Sequence, residues 1–574
     1  MLDRLGPPPV AGPLTACQRA RRTPHGVSLA GGWAPGTPLE VAVAPMPGEP
    51  GEPWRGRTEV GPAGGPRLPI TLTDGVWSID VGGHRATFVL APDRGLPLPP
   101  GWGLFAPVHA IHDVQSPVHG DLGALARLAD HVHAAGGAFT ATLPLLPRFL
   151  APTTVAGRPV AYDPSPYAPV SRAFWDELLV AAHHATAMPA PTRFVEPDRV
   201  WREAWPGLVA EAAVHRAETE AWLAADPEHA AYAAFRGGDD PAAVRAFAWA
   251  QHHADARMNA LGRERGLLLD LPLGTHALGF DVRRHPQRFI EGLGVGAPPD
   301  SLFRGGQDWG FPPMDLEAAA LDGFALMRRC LAHHMAPATI LRVDHVAWLH
   351  RVYCIPEGAS ATDGVYRRHP DWVRESLYGL LTLLGHRHQC AVVGEDLGTV
   401  PAEVREAMDE AGLARSWVLQ LEMALPEPRP IHAALPTGAL ASLNTHDLPL
   451  FAAWWLAEDV GLFASLGLLD EASAAAAAER RVGERRLLLR QLGLPEQASP
   501  TAALEAALAS MGTSRAGAVM VSLEDLWLER RPQNVPGTSS IERPNWRGRA
   551  ARPTEVLRDL PRSPSLPGVL SPLP

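Results

Sequence analysis

The sequence predicts an α/β protein, a (β/α)8 barrel with helical insertions, preceded by a small β-sandwich-like module. From about residue 99, eight short apolar runs follow one another, and stretches with helical periodicity separate most of them, as in a barrel of eight parallel strands. Before them, the first hundred residues contain short β-rich runs separated by glycine-containing dipeptides, a pattern typical of antiparallel hairpins.

The N-terminal module is predicted to span residues 1–98, beginning with a Pro-rich, mobile leader. Its candidate strands are Leu39–Ala44, Pro69–Thr73, Val76–Val81 and Arg85–Leu90. Asp74-Gly75 and Gly82-Gly83 separate the last three runs, and both dipeptides can supply the positive φ angles that two-residue hairpins require. We therefore expect a small antiparallel sandwich with a packing or spacing role.

The barrel is predicted to span residues 99–560. Its eight candidate strands are Trp102–Val108, Ala138–Leu143, Leu267–Leu271, Thr339–Val343, Ala391–Gly394, Ser416–Leu421, Ala439–Leu443 and Ala518–Ser522. Between the first two, residues 121–135 have an apolar face with helical spacing, and two glycines end this helix. The same pattern recurs over 371–385, and Pro401 opens a further helix. The active site of such a barrel lies at the carboxyl ends of its strands.

Two long stretches interrupt the alternation of strands and helices. Residues 148–265, rich in Ala, His and Trp, lie between the second and third strands, and residues 448–515 lie between the seventh and eighth. Both are predicted to be helical insertions around the barrel. The last stretch, 561–574, is rich in Pro, Ser and Leu and is predicted to be a disordered tail.

Composition and charge exclude several functions. All 51 residues counted as Lys+Arg are arginines, so the chain lacks the amine that Schiff-base, pyridoxal-phosphate and P-loop chemistry use. A GC-rich genome, which favours arginine codons, accounts for the missing lysine. The net charge of −11 argues against a nucleic acid or an anionic membrane surface as partner.

Cysteine usage predicts a cytoplasmic protein. The four cysteines, Cys17, Cys330, Cys354 and Cys390, are scattered without CxxC spacing, which is typical of free thiols in a reducing compartment. The N-terminus lacks the apolar core of a signal peptide. No apolar run approaches the roughly 18 residues that cross a bilayer.

Carboxylates follow three of the predicted strands, at the end of the barrel where catalysis is expected. Asp344 follows strand four, Glu395 and Asp396 follow strand five, and Asp447 follows strand seven. A single charged residue there could mark only the point where a strand reaches solvent. Three such sites at the same end of one barrel indicate a catalytic centre.

The spacing assigns different chemistry to two of these carboxylates. Arg342 and Asp344 point the same way because side chains alternate along a strand, so the guanidinium should lower the pKa of Asp344 and keep this nucleophile ionised. Glu395 follows an apolar run without such a partner and can hold a proton as general acid, whereas Asp396 points away and is interpreted as structural. A nucleophile and an acid of this kind perform retaining glycosidic-bond chemistry.

Ordered motifs then identify a family. RVDH at 342–345, GEDLGTVP at 394–401 and NTHDLP at 444–449 resemble segments of the 4-α-glucanotransferase (amylomaltase) family, glycoside hydrolase family 77. Further matches are SPYAP at 165–169, GDLG at 120–123, GAPPD at 296–300, GQDWGFPP at 306–313, QNVPGT at 533–538 and NW at 545–546. The resemblance covers residues 100–550, and the N-terminal region resembles the longer bacterial branch of the family.

The resemblance implies an α-amylase-type barrel that moves α-1,4-glucan segments between maltooligosaccharides by double displacement, without a cofactor. Asp344 would be the nucleophile that forms a covalent glucosyl-enzyme. Glu395 would protonate the leaving oxygen and later deprotonate the acceptor hydroxyl. Asp447 would hold the hydroxyls of the donor sugar and stabilise the transition state.

The resemblance also implies a set of substrate-binding residues. Arg342 and His446 would support the donor subsite, Tyr167 would stack on the donor sugar, and Asp270 would add polar contacts. Trp309 would lie on a loop that covers the acceptor side. Oligomeric state and preferred chain length stay open.

The chain departs from the family's pattern at three places, residues 116–119, residues 140–142 and Leu278. These departures concern the donor subsite and leave the three carboxylates in place. Two alternatives therefore remain beside the transferase: an α-glucan hydrolase with the same carboxylates, and a non-catalytic glucan-binding protein.

Three adjacent histidine pairs, His183-His184, His252-His253 and His333-His334, are interpreted as structural. Neighbours in a helix diverge by about 100°, so they do not form the i, i+4 face of a zinc helix, and no HExxH motif occurs. The sequence therefore predicts no metal site.

Overall fold

The computed structural model describes residues 14–559 except 25, 152, 192, 300–304, 426–428 and 540–541. The predicted tail, 561–574, and most of the predicted leader lie outside the described residues. Within the described part of the chain, no helix is long and apolar enough to cross a membrane.

The strands are β1 Cys17–Arg19, β2 Arg21–Thr23, β3 Gly26–Ala30, β4 Pro38–Pro45, β5 Trp54–Glu59, β6 Gly64–Leu68, β7 Gly75–Val81, β8 His84–Leu90, β9 Gly101–Phe105, β10 Phe139–Ala141, β11 Thr153–Val155, β12 Arg158–Val160, β13 Leu267–Leu271, β14 Leu293–Ala297, β15 Gln307–Asp308, β16 Ile340–Val343, β17 Arg351–Pro356, β18 Val365–Arg368, β19 Ala391–Gly394, β20 Ala414–Val418, β21 Leu440–Ser442 and β22 Ala518–Ser522.

The helices are α1 Leu122–Ala134, α2 Leu178–Ala181, α3 Pro197–Val214, α4 Arg216–Ala225, α5 Pro227–Gly237, α6 Pro241–Arg265, α7 Phe280–Arg284, α8 Leu316–Ala320, α9 Ala325–Met335, α10 Asp371–His388, α11 Ala402–Ala411, α12 Leu419–Met423, α13 Ile431–Ala434, α14 Phe451–Leu456, α15 Glu458–Ser465, α16 Glu471–Gln491, α17 Pro500–Gly512 and α18 Leu523–Leu526.

The N-terminal strands form two sheets, ordered β1-β8-β7-β4-β5 and β2-β3-β6, around a shared apolar core that includes Trp77 and Phe88. The predicted turn at Gly82-Gly83 is confirmed: both glycines have positive φ, 59° and 89°, and join β7 to β8. The strand predicted at 69–73 and the hairpin at 74–75 are wrong, because this segment connects one sheet to the other. The segment does not pair with β7 as a strand. Its Thr73 carbonyl instead accepts a hydrogen bond from the indole of Trp77 at 3.2 Å.

A closed barrel of eight parallel strands follows, in the order β10-β13-β16-β19-β20-β21-β22-β9, and all eight predicted strands are confirmed. Pairing of β22 with β9, from Ala518 opposite Gly101 to Ser522 opposite Phe105, closes it. Strands β13, β19 and β21 are buried along their whole length, because helices cover the outside of the barrel and side chains fill the inside. Apolar side chains such as Phe139, Ile340 and Val393 fill the barrel interior.

The additions to the barrel are partly those predicted. Hairpin β11–β12 and helices α2–α6 lie between β10 and β13, and α14–α17 lie between β21 and β22. A further sheet, ordered β15-β14-β17-β18, was not predicted. It joins segments from both sides of β16 and carries the 306–313 loop beside the carboxyl ends of the barrel strands.

Candidate active site

Four carboxylates lie at the carboxyl ends of the barrel strands. Asp270 is in β13, Asp344 follows β16, Glu395 follows β19 and Asp447 follows β21. The first three strands are neighbours in the barrel, and the register places Asp270 opposite Arg342. Carboxylates that are at least 51 positions apart in sequence therefore meet at one site.

Arg342 joins two of these carboxylates. Its Nη1 donates to both oxygens of Asp270, at 2.7 and 2.9 Å, and to Oδ1 of Asp344 at 3.0 Å. The predicted contact between Arg342 and Asp344 is therefore present, but Arg342 also bonds Asp270. The guanidinium lies closer to Asp270, whose side chain is only 4% exposed.

The predicted low pKa of Asp344 is wrong. Burial raises the pKa of Asp344 to about 7, and the neighbouring carboxylates of Asp270 and Glu395 raise it further against the opposing effect of Arg342. Because Arg342 is shared with Asp270, it offsets only part of the effect of burial on Asp344. The alternation rule identified the contact with Arg342 but not its second partner.

Backbone amides hold Glu395. The N–H of His345 donates to Oε2 at 2.8 Å, and the N–H of Leu397 donates to Oε1 at 2.9 Å. His345 is left-handed, with φ 45° and ψ 56°, a conformation that costs a non-glycine residue about 1–2 kcal/mol. Asp396 accepts a hydrogen bond from the Arg415 guanidinium at 2.9 Å, away from Glu395. This contact agrees with its predicted structural role.

Asp447 belongs to a second group of polar side chains, together with His446 and Asn534. Oδ2 of Asp447 lies 3.4 Å from Nε2 of His446, and Oδ1 accepts the Asn534 amide at 2.7 Å. The loss of water around the two side chains disfavours charge on both, but their mutual attraction raises the pKa of His446 and lowers that of Asp447. The Asp447 side chain is 46% exposed, so its carboxylate is held by these partners and is still accessible to a ligand.

Tyr167 connects the two groups. Its hydroxyl donates to Asp270 at 2.8 Å and lies 3.3 Å from Nδ1 of His446, and the Tyr167 and His446 rings stack with centroids 4.9 Å apart. Trp546 lies 5.7 Å from the Tyr167 ring and 5.8 Å from that of His446. Three aromatic rings thus pack together on one side of the site.

Trp309 lies on the other side, next to the proposed acid. Its ring is 5.5 Å from that of His345, edge to face, and its backbone N–H donates to the Val295 carbonyl at 2.9 Å. The loop predicted to cover the acceptor side is therefore tied to β14. All eight predicted site residues lie at this end of the barrel.

Two residues that contact the predicted site were not proposed for it. Asn534 holds Asp447, and Trp546, which has a left-handed φ of 58°, packs beside Tyr167. Both belong to motifs that carry the family resemblance, QNVPGT and NW, but neither motif contains a titratable group. The positions of these two motifs in the sequence, relative to the barrel strands, do not indicate that Asn534 and Trp546 lie at the site.

The three departures from the family pattern have different surroundings. Ser116 donates to both oxygens of Asp121, the N-cap of α1, so it supports that helix. Thr142 is buried and lines a small cavity together with Arg342 and His446. Leu278 packs on the apolar cluster around Phe280.

A cavity of about 330 Å³ opens beside Asp447. Its apolar wall includes Leu448, Phe194, Leu462 and Phe463, and polar side chains including Asn534 complete it. Apolar surface with a few fixed polar groups suits a ligand whose faces are apolar and whose edges carry hydroxyls.

Sequence comparisons point to one family. A family model described as 4-alpha-glucanotransferase matches residues 208–554. The chain is 30% identical over 524 residues to a 4-alpha-glucanotransferase of Mycobacterium tuberculosis, covering 78% of this chain and 70% of that protein. It is 31% identical over 333 residues to a 4-alpha-glucanotransferase of Haemophilus influenzae, covering 55% of this chain and about half, 47%, of that protein.

Solved structures share the fold. Amylomaltase from Corynebacterium glutamicum matches with a TM-score of 0.77 at 22% identity, covering 93% of this chain and 86% of that one. Amylomaltase from Streptococcus agalactiae, solved in complex with acarbose, matches with a TM-score of 0.56 at 15% identity, covering 78% and 95% of the two chains.

Proposed function

The chain belongs to the 4-alpha-glucanotransferase family, glycoside hydrolase family 77, and from this premise we propose that it transfers α-1,4-glucan segments between maltooligosaccharides. One observation carries the proposal. Asp344, Glu395 and Asp447 lie at the carboxyl ends of neighbouring or nearby barrel strands, each held by a different set of partners.

In the first half-reaction Asp344 would attack the anomeric carbon of the donor while Glu395 gives its proton to the leaving oxygen. A bond forms between Oδ of Asp344 and the sugar, and the glycosidic bond breaks. Both oxygens of Glu395 accept backbone N–H groups in the free protein. We propose that substrate binding displaces one of these hydrogen bonds, so that the protonated oxygen can reach the leaving group.

In the second half-reaction an acceptor hydroxyl would attack the same carbon and release Asp344, while Glu395 takes the hydroxyl proton. Asp447, kept ionised by His446 and Asn534, would bind the donor hydroxyls and favour the positive charge that develops on the sugar ring. The partly buried ring of Tyr167 would pack against that sugar, and the buried Trp546 supports Tyr167 from behind. Trp309 would shield the glucosyl-enzyme from water on the acceptor side.

We propose that the ligands are neutral α-glucans. The net charge of −11 does not suit a polyanion, and the cleft around Asp447 combines apolar and polar walls. A metal or cofactor has no part in the proposed reaction. A cytoplasmic location is part of the same proposal, because all four cysteines are free and buried.

We also propose the domain limits expected from the sequence, 1–98 for the N-terminal module and 99–560 for the barrel. The separate apolar core of the first two sheets supports this division.

Incubation of the purified protein with maltotriose tests the activity. Transfer conserves the number of reducing ends, so we expect free glucose and longer oligomers at a constant total of reducing ends. An increase in that total without longer oligomers would show an α-glucan hydrolase, and an unchanged substrate would show a binding protein.

A further inference from the structure

Three side chains that can bind a metal meet in the helical segment between β10 and β13. His183 and His184 belong to a short 3-10 turn, Ala182–His184, after α2, and Glu211 lies in α3. One nitrogen or oxygen atom from each lies within 4.8 Å of the others. Among the described residues, no other group of three or more His, Cys, Asp or Glu side chains comes together in this way.

The two neighbouring histidines converge, contrary to the expectation from helical geometry. The turn ends at Ala185, which leaves the helical conformation with ψ 48°. Both rings lie near α3, with centroids 3.9 Å apart and planes inclined by 38°. A helical wheel does not describe side chains at the end of a three-residue turn.

Hydrogen bonding prepares His183 to bind a metal. Its Nδ1 lies 2.7 Å from the Val180 carbonyl oxygen, which can only accept, so Nδ1 carries the proton. Nε2 then keeps a lone pair, and it lies 3.9 Å from Oε2 of Glu211. Metal-binding histidines are commonly held by this kind of hydrogen bond on the other ring nitrogen.

A glycine in α3 makes room for His184. A Cβ at Gly207 would lie 2.5 Å from Cγ of His184, so the ring rests where only glycine leaves space. Glycine inside a helix costs about 1 kcal/mol relative to alanine. From this position Nε2 of His184 donates a hydrogen bond to Oε2 of Glu211 at 2.9 Å, and a bound metal ion would displace that proton.

We propose that His183, His184 and Glu211 form a binding site for a divalent transition metal of the Zn²⁺ class. Two imidazoles and a carboxylate are a ligand set that Zn²⁺ prefers, with water as the fourth ligand. Bonds of about 2.0–2.1 Å in a tetrahedron place ligand atoms roughly 3.4 Å apart. The separations of Oε2 of Glu211 from Nε2 of His184 and of His183, 2.9 and 3.9 Å, lie on either side of that distance. The ion would join the 182–184 turn to α3, so its role would be structural.

Zinc titration of the full chain, after treatment with a chelator and dialysis, tests the site. We expect the wild-type protein to bind one equivalent of Zn²⁺ by calorimetry and its Tm to rise on addition of the ion. Glu211→Gln keeps the shape of the side chain and should weaken binding by at least about tenfold, as should His184→Ala. His133→Ala, which removes an exposed histidine of α1, is the matched control and should bind as the wild type does.

Mg²⁺ and Ca²⁺ should leave the Tm unchanged, because they prefer sets of oxygen ligands. Co²⁺ in the same site should give the intense visible absorption of tetrahedral coordination. Equal Tm values of the wild type and Glu211→Gln in the presence of chelator show that the variant is folded. The proposal is wrong if the wild type binds no Zn²⁺, or if Glu211→Gln binds it as tightly as the wild type.

Discussion

Arg342 donates two hydrogen bonds to Asp270, at 2.7 and 2.9 Å, so the guanidinium beside the proposed nucleophile belongs mainly to another carboxylate. Asp344 receives a single hydrogen bond from it, at 3.0 Å. Burial and the neighbouring carboxylates therefore decide the protonation of Asp344, and its pKa rises to about 7.

The pH dependence of transfer should report this arrangement. Asp344 must be ionised to attack, so kcat/KM should rise with pH along a limb centred near the raised pKa of about 7. Asp270→Asn removes a carboxylate that raises this pKa and frees Arg342 for Asp344, so the limb should move to lower pH. Profiles of both proteins from about pH 5 to 9 test this, and Asp371→Asn, on the exposed start of α10, is the control. An unmoved limb in Asp270→Asn would contradict the account.

Asp344 should also destabilise the folded protein at higher pH. Its folded pKa is raised, so its contribution to stability is complete below the unfolded pKa and is lost as the pH rises through about 7. Asp344→Asn removes this cost. The variant should have a higher free energy of unfolding than the wild type. The difference between the two proteins should be larger at pH 8 than at pH 5, by on the order of 1–3 kcal/mol. Urea unfolding at both pH values measures it, and a difference that does not grow with pH would refute the prediction.

Glu395→Gln should remove the proton donor and keep the overall fold, because the amide oxygen can still accept one of the two backbone N–H groups and only the other hydrogen bond is lost. Turnover of maltotriose should fall by about 10²–10⁴. The first step needs less acid assistance when the leaving group is good, so the variant should still react with α-glucosyl fluoride. Glu403→Gln, an exposed glutamate of α11 paired with Arg368, is the control. Near-normal turnover of maltotriose in Glu395→Gln would remove this residue from the mechanism.

Asn534→Ala should weaken catalysis through Asp447. The amide donates to this carboxylate at 2.7 Å and lowers its pKa. A hydrogen bond to a charged group is worth about 1.5–3 kcal/mol, so kcat/KM should fall roughly 10- to 100-fold. Asn259→Ala, which removes an amide that donates within α6, should have no such effect. Equal losses in the two variants would mean that Asn534 acts only through stability.

The barrel could be predicted because its strands are short apolar runs between helical patterns, and parallel strands buried on both faces have that composition. The β15-β14-β17-β18 sheet could not. Strand β14, Leu293–Ala297, contains glycines, and strand β15 has only two residues. The four strands also come from both sides of β16 in the sequence. Pairing between segments so far apart leaves no local pattern.

The same reason limits the prediction of the site. Each carboxylate follows its own strand, which local patterns show. The division of Arg342 between Asp270 and Asp344 depends on pairing between β13 and β16. The meeting of His183, His184 and Glu211 depends likewise on how α2 and its turn pack on α3, with Gly207 making room for one of the rings.

Trapping of the covalent intermediate tests the central claim most directly. A fluorinated α-glucosyl donor slows release of the sugar, and peptide mass spectrometry then locates the label. We predict one glucosyl label on Asp344 in the wild type and none in Asp344→Asn. A label on any other residue, or an unaltered label in Asp344→Asn, would contradict the assignment of Asp344 as the nucleophile.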